Sequence, residues 1–369
     1  MASNDPGQDT NFDQGIAVAK IPEGKMVSGT FAGSPLLLVH QQGQFFAIDS
    51  HCTHYGGNLA EGLLVGDTVR CPLHHACFSL RTGEALRAPA LDGLGCWKVE
   101  QVDETLFIRE KIEPEVRSKP ETAPRSVVIV GGGAAGLAAT EMLRREGYDG
   151  GITMISADSY PPCDRPNLSK DFLAGTAGEE WLPLRPTDFY TQHNVELLLN
   201  SKVASIDPMA RQVHLENGTA ITFDALLLAT GAEPVELKLP GGETGKVLYL
   251  RSYADSRSII AKTEGAKTAV VVGASFIGLE VAASLRKREI EVHVVAPGKQ
   301  PLEHVLGEKV GAAIRKVHED HGVHFISERP LRRWKEQPSH SVTEASLRPT
   351  SSLRASGFTH RFHWQSKPD

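Results

Sequence analysis

The stretch CTHYGGNLAEGLLVGDTVRCPLHHACF, residues 52–78, carries three of the five cysteines and three of the fifteen histidines of the chain. Cys52 is followed two places on by His54, and Cys71 is followed three places on by His74. Each half of the stretch therefore offers one sulfur and one imidazole ligand. Zinc accepts two cysteines and two histidines, although zinc modules usually pair like ligands on one turn. A two-iron cluster accepts both thiolates on one iron and both imidazoles on the other, which suits the mixed pairs.

The composition is that of a globular protein with more than one domain. The chain has 369 residues, of which 40% are hydrophobic and 23% charged, and a chain of this length usually divides into two or three domains. The net charge of −6 gives no indication of a nucleic-acid partner. No apolar run reaches the roughly 20 residues that span a bilayer, and the acidic start resembles neither a secretory signal nor a transit peptide. We therefore predict a cytoplasmic protein without a membrane span.

Short β-rich runs lie on both sides of the Cys/His stretch. They are VAKI at 18–21, LLLVH at 36–40, QFFAID at 44–49, DTVRC at 67–71 and LFIRE at 106–110. Gly, Pro and Asp turn residues separate them, and no long helical period is present. These features predict an all-β domain over residues 14–112. Residues 113–125 mix Pro with charges and are expected to form a linker.

A different pattern begins at residue 126. SVVIV at 126–130 is a continuous β-branched run, as in strands buried on both faces of a parallel sheet. A glycine turn, a helix and a second strand follow, and the same order recurs over residues 268–297. Two such βαβ openings predict tandem dinucleotide-binding domains, over 126–250 and 251–326.

At its spacing, and with Ala-Cys-Phe after the second pair, the Cys/His stretch resembles the Rieske [2Fe–2S] family. The resemblance implies a cluster held by Cys52, His54, Cys71 and His74. His75 and Cys77 fall outside the motif, and we interpret Cys77 as a small buried thiol. Residues 89–94 resemble the proline-containing loop that covers the cluster in this family, and an ordinary turn explains them equally well.

The first glycine turn fits G-x-G-x-x-G through Gly131, Gly133 and Gly136. It follows a predicted buried strand and opens a helix, so its amides and the helix N terminus would meet a pyrophosphate. An acidic residue that binds the ribose hydroxyls is expected about 20 residues further on. Ala157 stands at the most natural position and has no carboxylate, so we assign this role to Asp158.

Residues 162–170, PCDRPNLSK, resemble a signature of the flavin-dependent ferredoxin-reductase and apoptosis-inducing-factor group, in which Tyr usually stands where Cys163 does. The resemblance implies that Arg165 and Lys170 lie near the flavin of FAD, where a cation would stabilise the reduced flavin. Two surface cations around a turn are the alternative.

Residues 223–231, FDALLLATG, resemble a second flavoprotein signature. This resemblance implies that Thr230 and Gly231, at the end of a strand, lie near the FAD. It also implies that the backbone of Val203 meets the adenine and that Arg251 approaches the flavin nucleotide.

The second glycine turn, VGASFIGLE at 272–280, has Gly273 and Gly278 at the outer glycine positions and Ser275 at the middle one. It resembles the NAD(P)H-binding domain of apoptosis-inducing-factor-like flavoproteins, which implies that Glu280 lies toward the nicotinamide; an exposed helical Glu is the alternative. Ala296 stands where an acid would select NADH, and Lys299 nearby could meet a 2′-phosphate or be a turn residue. NADH is favoured on the resemblance.

The resemblance ends near Ile326. Complete members of the family continue through a return to the FAD domain, which carries a Gly-Asp pair that holds the flavin. The Gly-Asp pair of this chain, Gly66-Asp67, lies in the predicted Rieske domain. We therefore expect a C-terminally truncated member with partial FAD and NAD(P) domains and with exposed sheet edges beside SVVIV. Residues 327–369 are expected to be a disordered or aberrant tail.

These features predict an α/β plus all-β protein, with an N-terminal Rieske β-sandwich followed by tandem Rossmann-like FAD and NAD(P) domains, the latter incomplete. The implied function is an NAD(P)H-dependent FAD oxidoreductase that passes electrons from flavin to the [2Fe–2S] cluster and on to an acceptor, either a protein or a small molecule. Lys170 and Glu280 are its candidate catalytic residues. The alternative is an electron-transfer or iron–sulfur module whose flavoprotein part is inactive, and a zinc-stabilised scaffold is a third reading.

Overall fold

The computed structural model of the chain describes residues 10–113, 122–235, 247–327, 352–354 and 358–359. The chain divides into two compact units, Met1–Arg117 and Ser118–Asp369. Most of the predicted linker, residues 114–121, lies outside the described residues. Among the described residues, every helix is too short or too polar to cross a bilayer.

The first unit is built from two β-sheets. In the described residues its strands are β1 (Thr10–Asn11), β2 (Ile16–Ala17), β3 (Lys25–Phe31), β4 (Ser34–Gln41), β5 (Gln44–Asp49), β6 (Leu63–Val65), β7 (Thr68–Arg70), β8 (Cys77–Ser79), β9 (Ala85–Arg87), β10 (Cys96–Val102) and β11 (Thr105–Ile112). The larger sheet has the order β1-β3-β4-β5-β10-β11-β2, and the smaller one has the order β6-β7-β8-β9. Short 3₁₀ helices lie at Val18–Lys20 and Leu59–Glu61.

Strand β4 shows why this unit is a sandwich. Four successive residues of β4 are fully buried, which a sheet with one solvated face does not allow. Alternate side chains enter different cores: Leu36 and Leu38 pack with Phe12, while Leu37 and Val39 pack with Cys52 and Cys71. The all-β prediction is confirmed, and the second of these cores lies directly beneath the Cys/His loops.

The VAKI run is the one predicted strand of this unit that was wrong. Residues 18–20 form a 3₁₀ helix, and the strand lies just before it, at β2. Ile21 is fully buried and is followed by Pro22, which has no amide to donate to a ladder. The chain therefore turns here, so that it can enter β3 at Lys25.

The second unit begins with a parallel sheet and continues into another. Its elements in chain order are β12 (Ser126–Val130), α1 (Ala134–Arg145), β13 (Gly151–Ile155), α2 (Asp171–Ala174), α3 (Thr187–Gln192), β14 (Val195–Leu198), β15 (Val203–Asp207), β16 (Gln212–Leu215), β17 (Ala220–Thr222), β18 (Ala225–Leu228), β19 (Glu233–Pro234), β20 (Val247–Tyr249), α4 (Tyr253–Thr263), β21 (Thr268–Val272), α5 (Phe276–Lys287), β22 (Glu291–Val295), α6 (Glu303–Leu306), α7 (Glu308–Asp320), β23 (Val323–Ile326), β24 (Ser352–Arg354) and β25 (Phe358–Thr359), with 3₁₀ helices at Arg165–Ser169 and Glu179–Trp181.

The first parallel sheet has the order β14-β13-β12-β18, so SVVIV has a neighbouring strand on each side. The sequence led us to expect missing strand partners for SVVIV and its neighbours, with apolar surface exposed, and for SVVIV itself this was wrong. Because β18 takes the place beside it, the apolar exposure moves one strand outward, where Leu227 and Leu228 are 39% and 41% exposed. An antiparallel sheet of β15, β16 and β17 packs against this sheet through the cluster containing Val128 and Val213.

The second parallel sheet has the order β20-β24-β21-β22-β23. Its β24 comes from the segment 327–369 that was expected to be disordered or aberrant, and it pairs in parallel with both β20 and β21. A second part of that segment, β25, pairs with β19. The remainder of the segment lies outside the described residues.

Candidate cofactor sites

The predicted cluster ligands lie on two loops with the same backbone hydrogen bonds. In each loop the cysteine amide, of Cys52 or Cys71, donates at 2.9 Å to the carbonyl five residues on. Four residues after each cysteine an amide donates back to the cysteine carbonyl, from Gly56 at 2.9 Å and from His75 at 3.1 Å. Gly56 and His75 both have left-handed φ angles, 67° and 60°. The two loops are thus equivalent, although their Cys-to-His spacings differ by one residue.

The four predicted ligand side chains form two like pairs. Cys52 and Cys71 are both buried in the same core. Burial raises the pKa of the Cys52 thiol, and the neighbouring Cys71 side chain raises it further. The rings of His54 and His74 lie edge to face with their centroids 5.0 Å apart. Two sulfurs together and two imidazoles together are the donors that the two irons of a Rieske cluster require.

This donor set fits the two-iron cluster better than one zinc ion. Among the described residues, no group of three or more His, Cys, Asp or Glu converges on a single metal position. Gly57 leaves room beside the sulfur, because a Cβ there would lie 2.8 Å from Sγ of Cys71. When bound, a [2Fe–2S] cluster supplies one-electron transfer, and imidazole ligands raise its reduction potential.

The structure also locates the other residues of this region that the sequence analysis discussed. The loop at 89–94 lies against the first ligand loop, since the hydroxyl of Thr53 donates to the carbonyl of Asp92 at 2.6 Å. Cys77 is buried on β8, and His75 is exposed. The sequence reasoning missed Tyr55, whose ring stacks on His54 at 4.0 Å and meets His74 edge-on at 5.7 Å. The available signal was an aromatic residue directly after a predicted ligand.

The first glycine turn has the packing that a dinucleotide site requires. Gly131 has a φ of 129°, and a Cβ there would overlap the carbonyl oxygen of Ala229. A Cβ on Gly136 would overlap the carbonyl oxygen of Gly131, so this glycine brings α1 against the turn. At Gly133 the space is open, because the nearest atom a Cβ would meet is Nη2 of Arg165 at 3.8 Å. The start of α1 is therefore free to receive a phosphate.

Several predicted FAD residues surround this turn. Nη2 of Arg165 lies 3.2 Å from a carboxylate oxygen of Asp158. Gly231 has a left-handed φ of 70°, and a Cβ there would lie 3.1 Å from Nη2 of Arg251. Burial lowers the pKa of Arg251, and the nearby charge of Arg165 lowers it further. Two guanidinium groups and one carboxylate therefore share this space, as expected for a site that receives an anionic dinucleotide.

Thr230 and Val203 are the two remaining residues predicted to lie near the FAD. The amide nitrogen of Thr230 lies 3.2 Å from the position of a Cβ on Gly131, so Thr230 borders the glycine turn. Val203 pairs with Leu215 on the antiparallel sheet and packs against the cluster that contains Val130. Contact between the Val203 backbone and an adenine stays a prediction. Cys163 is half-buried, and burial raises the pKa of its thiol to about 11.

Four predicted residues line one cavity of about 290 Å³, namely Arg165, Lys170, Arg251 and Glu280. Nζ of Lys170 lies 3.0 Å from Oε1 of Glu280, and the hydroxyl of Ser169 donates to Oε2 of the same carboxylate at 2.6 Å. Glu280 is on α5, the helix that follows β21 of the second parallel sheet, whereas Lys170 is the last residue of the flavin-type signature at 162–170. The cavity thus joins the two predicted nucleotide domains.

Helix α5 also holds this region through residues that the sequence reasoning missed. The buried hydroxyl of Ser284 is within hydrogen-bonding distance of the carbonyls of Ser169, at 2.8 Å, and Lys170, at 3.0 Å. One turn further along, Nε of Arg288 donates to the carbonyl of Leu173. The spacing of Glu280, Ser284 and Arg288 by four residues was the available signal, because it places all three on one face of a helix.

The second glycine turn opens α5. Gly273 has a φ of 112°, and its amide donates to the carbonyl of Val295 at 2.9 Å. Gly278 is buried in the first turns of α5, and Ser275 is its N-cap residue. This arrangement places the start of α5 at the carboxyl edge of the sheet, as in a dinucleotide-binding domain.

Comparison with known proteins agrees with this architecture. Residues 125–357 match the family model for pyridine nucleotide-disulphide oxidoreductases, and residues 15–98 match that for the Rieske [2Fe–2S] domain. Human apoptosis-inducing factor 3 is 33% identical over 351 residues, which are 92% of this chain and 57% of that protein. Rhodocoxin reductase of Rhodococcus erythropolis is 38% identical over 200 residues, 54% of this chain and 47% of the relative. The chain thus spans about half the length of these curated relatives.

Solved structures of reductases have the same fold. Putidaredoxin reductase, in its covalent complex with putidaredoxin, is 32% identical with a TM-score of 0.58, over 63% of this chain and 58% of that one. The ferredoxin reductase of the CYP199A2 system from Rhodopseudomonas palustris is 29% identical with a TM-score of 0.58, over 63% of this chain and 59% of that one. The chain belongs to the pyridine nucleotide-disulphide oxidoreductase family and carries an N-terminal Rieske [2Fe–2S] domain.

Proposed function

We propose that the chain is an NAD(P)H-dependent FAD oxidoreductase that passes electrons from flavin to its Rieske [2Fe–2S] cluster and on to an acceptor protein or small molecule. The observation that carries the proposal is the cavity shared by Arg165, Lys170, Arg251 and Glu280. It unites the predicted flavin-side cations with a residue of the predicted NAD(P)H fingerprint. Relatives named as ferredoxin–NAD(+) reductases support this reading.

Each cofactor supplies a different part of the chemistry. FAD, when bound, exchanges two electrons with a nicotinamide and releases them singly, which matches the one-electron capacity of a [2Fe–2S] cluster. The cytoplasm remains our proposed compartment, because all five cysteines are unpaired, as in reducing surroundings.

The residues of the chain have separate roles in this proposal. The open start of α1 at Gly133 receives the pyrophosphate of FAD, and Asp158 binds a ribose hydroxyl after exchanging its contact with Arg165. Lys170 provides positive charge beside the flavin ring. Glu280 holds the Lys170 ammonium group in place through the ion pair of 3.0 Å, and Ser284 fixes the backbone that carries Lys170.

Composition of the purified chain tests the proposal most directly. We expect stoichiometric FAD, equal amounts of iron and acid-labile sulfide, and loss of the flavin absorbance when NADH is added without oxygen. Iron and sulfide without FAD would contradict the proposed oxidoreductase activity and indicate an electron-transfer module instead. Zinc without sulfide would contradict the cluster assignment as well.

A substitution tests the role of the shared cavity. Lys170→Met removes the positive charge beside the flavin, and we expect the rate of flavin reduction by NADH to fall by about tenfold, equivalent to ~1.4 kcal/mol of barrier. Stopped-flow absorbance measures this rate. The matched control is Lys98→Met, which removes an exposed lysine paired with Glu110 in the first unit. Equal rates in the two variants would contradict the placement of Lys170 at the flavin.

A further inference from the structure

The second nucleotide domain lacks a carboxylate at the place where such domains usually distinguish NADH from NADPH. That place is the end of the strand after the first helix, where Asp or Glu binds the 2′-hydroxyl of the adenosine ribose. Here the position is Ala296, which is buried and whose amide donates to the carbonyl of Ile326 at 3.2 Å. Discrimination at this site needs another residue.

The chain supplies a different carboxylate by folding back after the strand. Leu302 adopts a left-handed conformation with a φ of 55°, and its amide donates to the carbonyl of Ala274, inside the glycine turn, at 3.1 Å. The next residue is Glu303, the first of α6. Its Oε2 accepts from the amide of Gln300 at 3.1 Å and lies 3.9 Å from the position of a Cβ on Gly298. Glu303 therefore lies between the strand-end turn and the glycine turn.

The charges around this turn favour a hydroxyl over a phosphate. Nζ of Lys299 is 2.6 Å from a carboxylate oxygen of Glu308, and Arg315 is 2.7 Å from Glu319. Both cations are thus already paired with carboxylates. Among the residues that the structure describes, Glu303 forms no ion pair, and its Oε2 accepts a hydrogen bond from the Gln300 amide.

We propose that Glu303 is the residue that selects NADH over NADPH in this chain. Its carboxylate accepts a hydrogen bond from the ribose 2′-hydroxyl and repels a 2′-phosphate at the same position. This inference rests on the proposed function, since it assigns the specificity of the same nicotinamide nucleotide site. It replaces the missing strand-end acid by one from the following helix.

Binding of two nucleotides that differ only in the 2′-phosphate tests this role. Calorimetry on the full chain, saturated with FAD, compares ADP-ribose with 2′-phospho-ADP-ribose. We expect the wild-type chain to bind ADP-ribose at least tenfold more tightly. Glu303→Gln should reduce that ratio severalfold, and Glu303→Lys should reverse it. The Gln variant keeps an oxygen that accepts from Gln300, so the turn is retained.

Control variants distinguish this role of Glu303 from a specificity set by another residue. Glu264→Gln, an exposed change at the end of α4, should leave the ratio unchanged. If Lys299→Met weakens binding of the 2′-phosphate nucleotide while Glu303→Gln changes nothing, Lys299 sets the specificity and the inference is wrong. If neither nucleotide binds to the wild-type chain, the proposed function fails at this domain, and the inference fails with it.

Discussion

His74 and His75 are adjacent, and His74 is the predicted cluster ligand of the two. His75 occupies the left-handed position that Gly56 fills in the equivalent loop. We expect His75→Gly to keep the cluster and to change the free energy of unfolding by no more than ~1 kcal/mol, because released strain offsets the added chain entropy. His74→Ala should lose the cluster. Iron content and visible absorbance measure both, and loss of iron from His75→Gly alone would contradict the ligand assignment.

At the same scale, the sequence suggested residues whose type and spacing express chemistry, and missed those whose role depends on a distant partner. Local spacing predicts Cys52 and Cys71 as ligands, and that assignment stays a prediction. The contact between Lys170 and Glu280 joins segments of two domains, so no local pattern predicts its length of 3.0 Å. The proposed roles of Ser284 and Glu303 were not predicted for the same reason, because each role depends on the segment that folds against the residue.

At the scale of elements, Gly136 and Gly133 of the first predicted nucleotide site have different structural roles. A Cβ on Gly136 would overlap backbone of the turn, whereas one on Gly133 meets nothing closer than 3.8 Å. We expect Gly136→Ala to lower the free energy of unfolding of the second unit by about 1–3 kcal/mol. Gly133→Ala should leave that free energy within ~1 kcal/mol and lower FAD affinity on the order of tenfold. Denaturant unfolding and FAD titration test the pair, and equal loss of stability in both variants would contradict these roles.

The type of an element could be predicted where its hydrophobic pattern and the residues next to it in sequence indicated the same secondary structure. SVVIV was recognised as a doubly buried strand, and it has a strand on each side. VAKI has the same β-branched and aliphatic character, yet the turn before Pro22 overrides it. The strand β24 was missed because Ser352–Arg354 has no apolar period of its own, and its position between β20 and β21 comes from pairing.

Each of the two units has buried clusters of its own among the described residues. Cys52 and Cys71 belong to a core with Leu37 and Ile48 of the first unit, while the largest core of the second unit surrounds Val271 and Val292. A cluster that binds only folded ligand loops stabilises the unit that contains them. Iron should therefore contribute to the stability of the first unit and not to that of the second.

Calorimetric unfolding of the full chain tests this independence. We expect two transitions, and removal of iron by a chelator should lower the midpoint of one by about 5 °C or more, equivalent to ~1 kcal/mol in a domain of this size. Gly136→Ala should lower only the other midpoint, which assigns the transitions to their units. The double variant Cys52→Ser, Cys71→Ser should no longer respond to the chelator. A single transition, or a chelator effect on both midpoints, would contradict the prediction that the two units unfold independently.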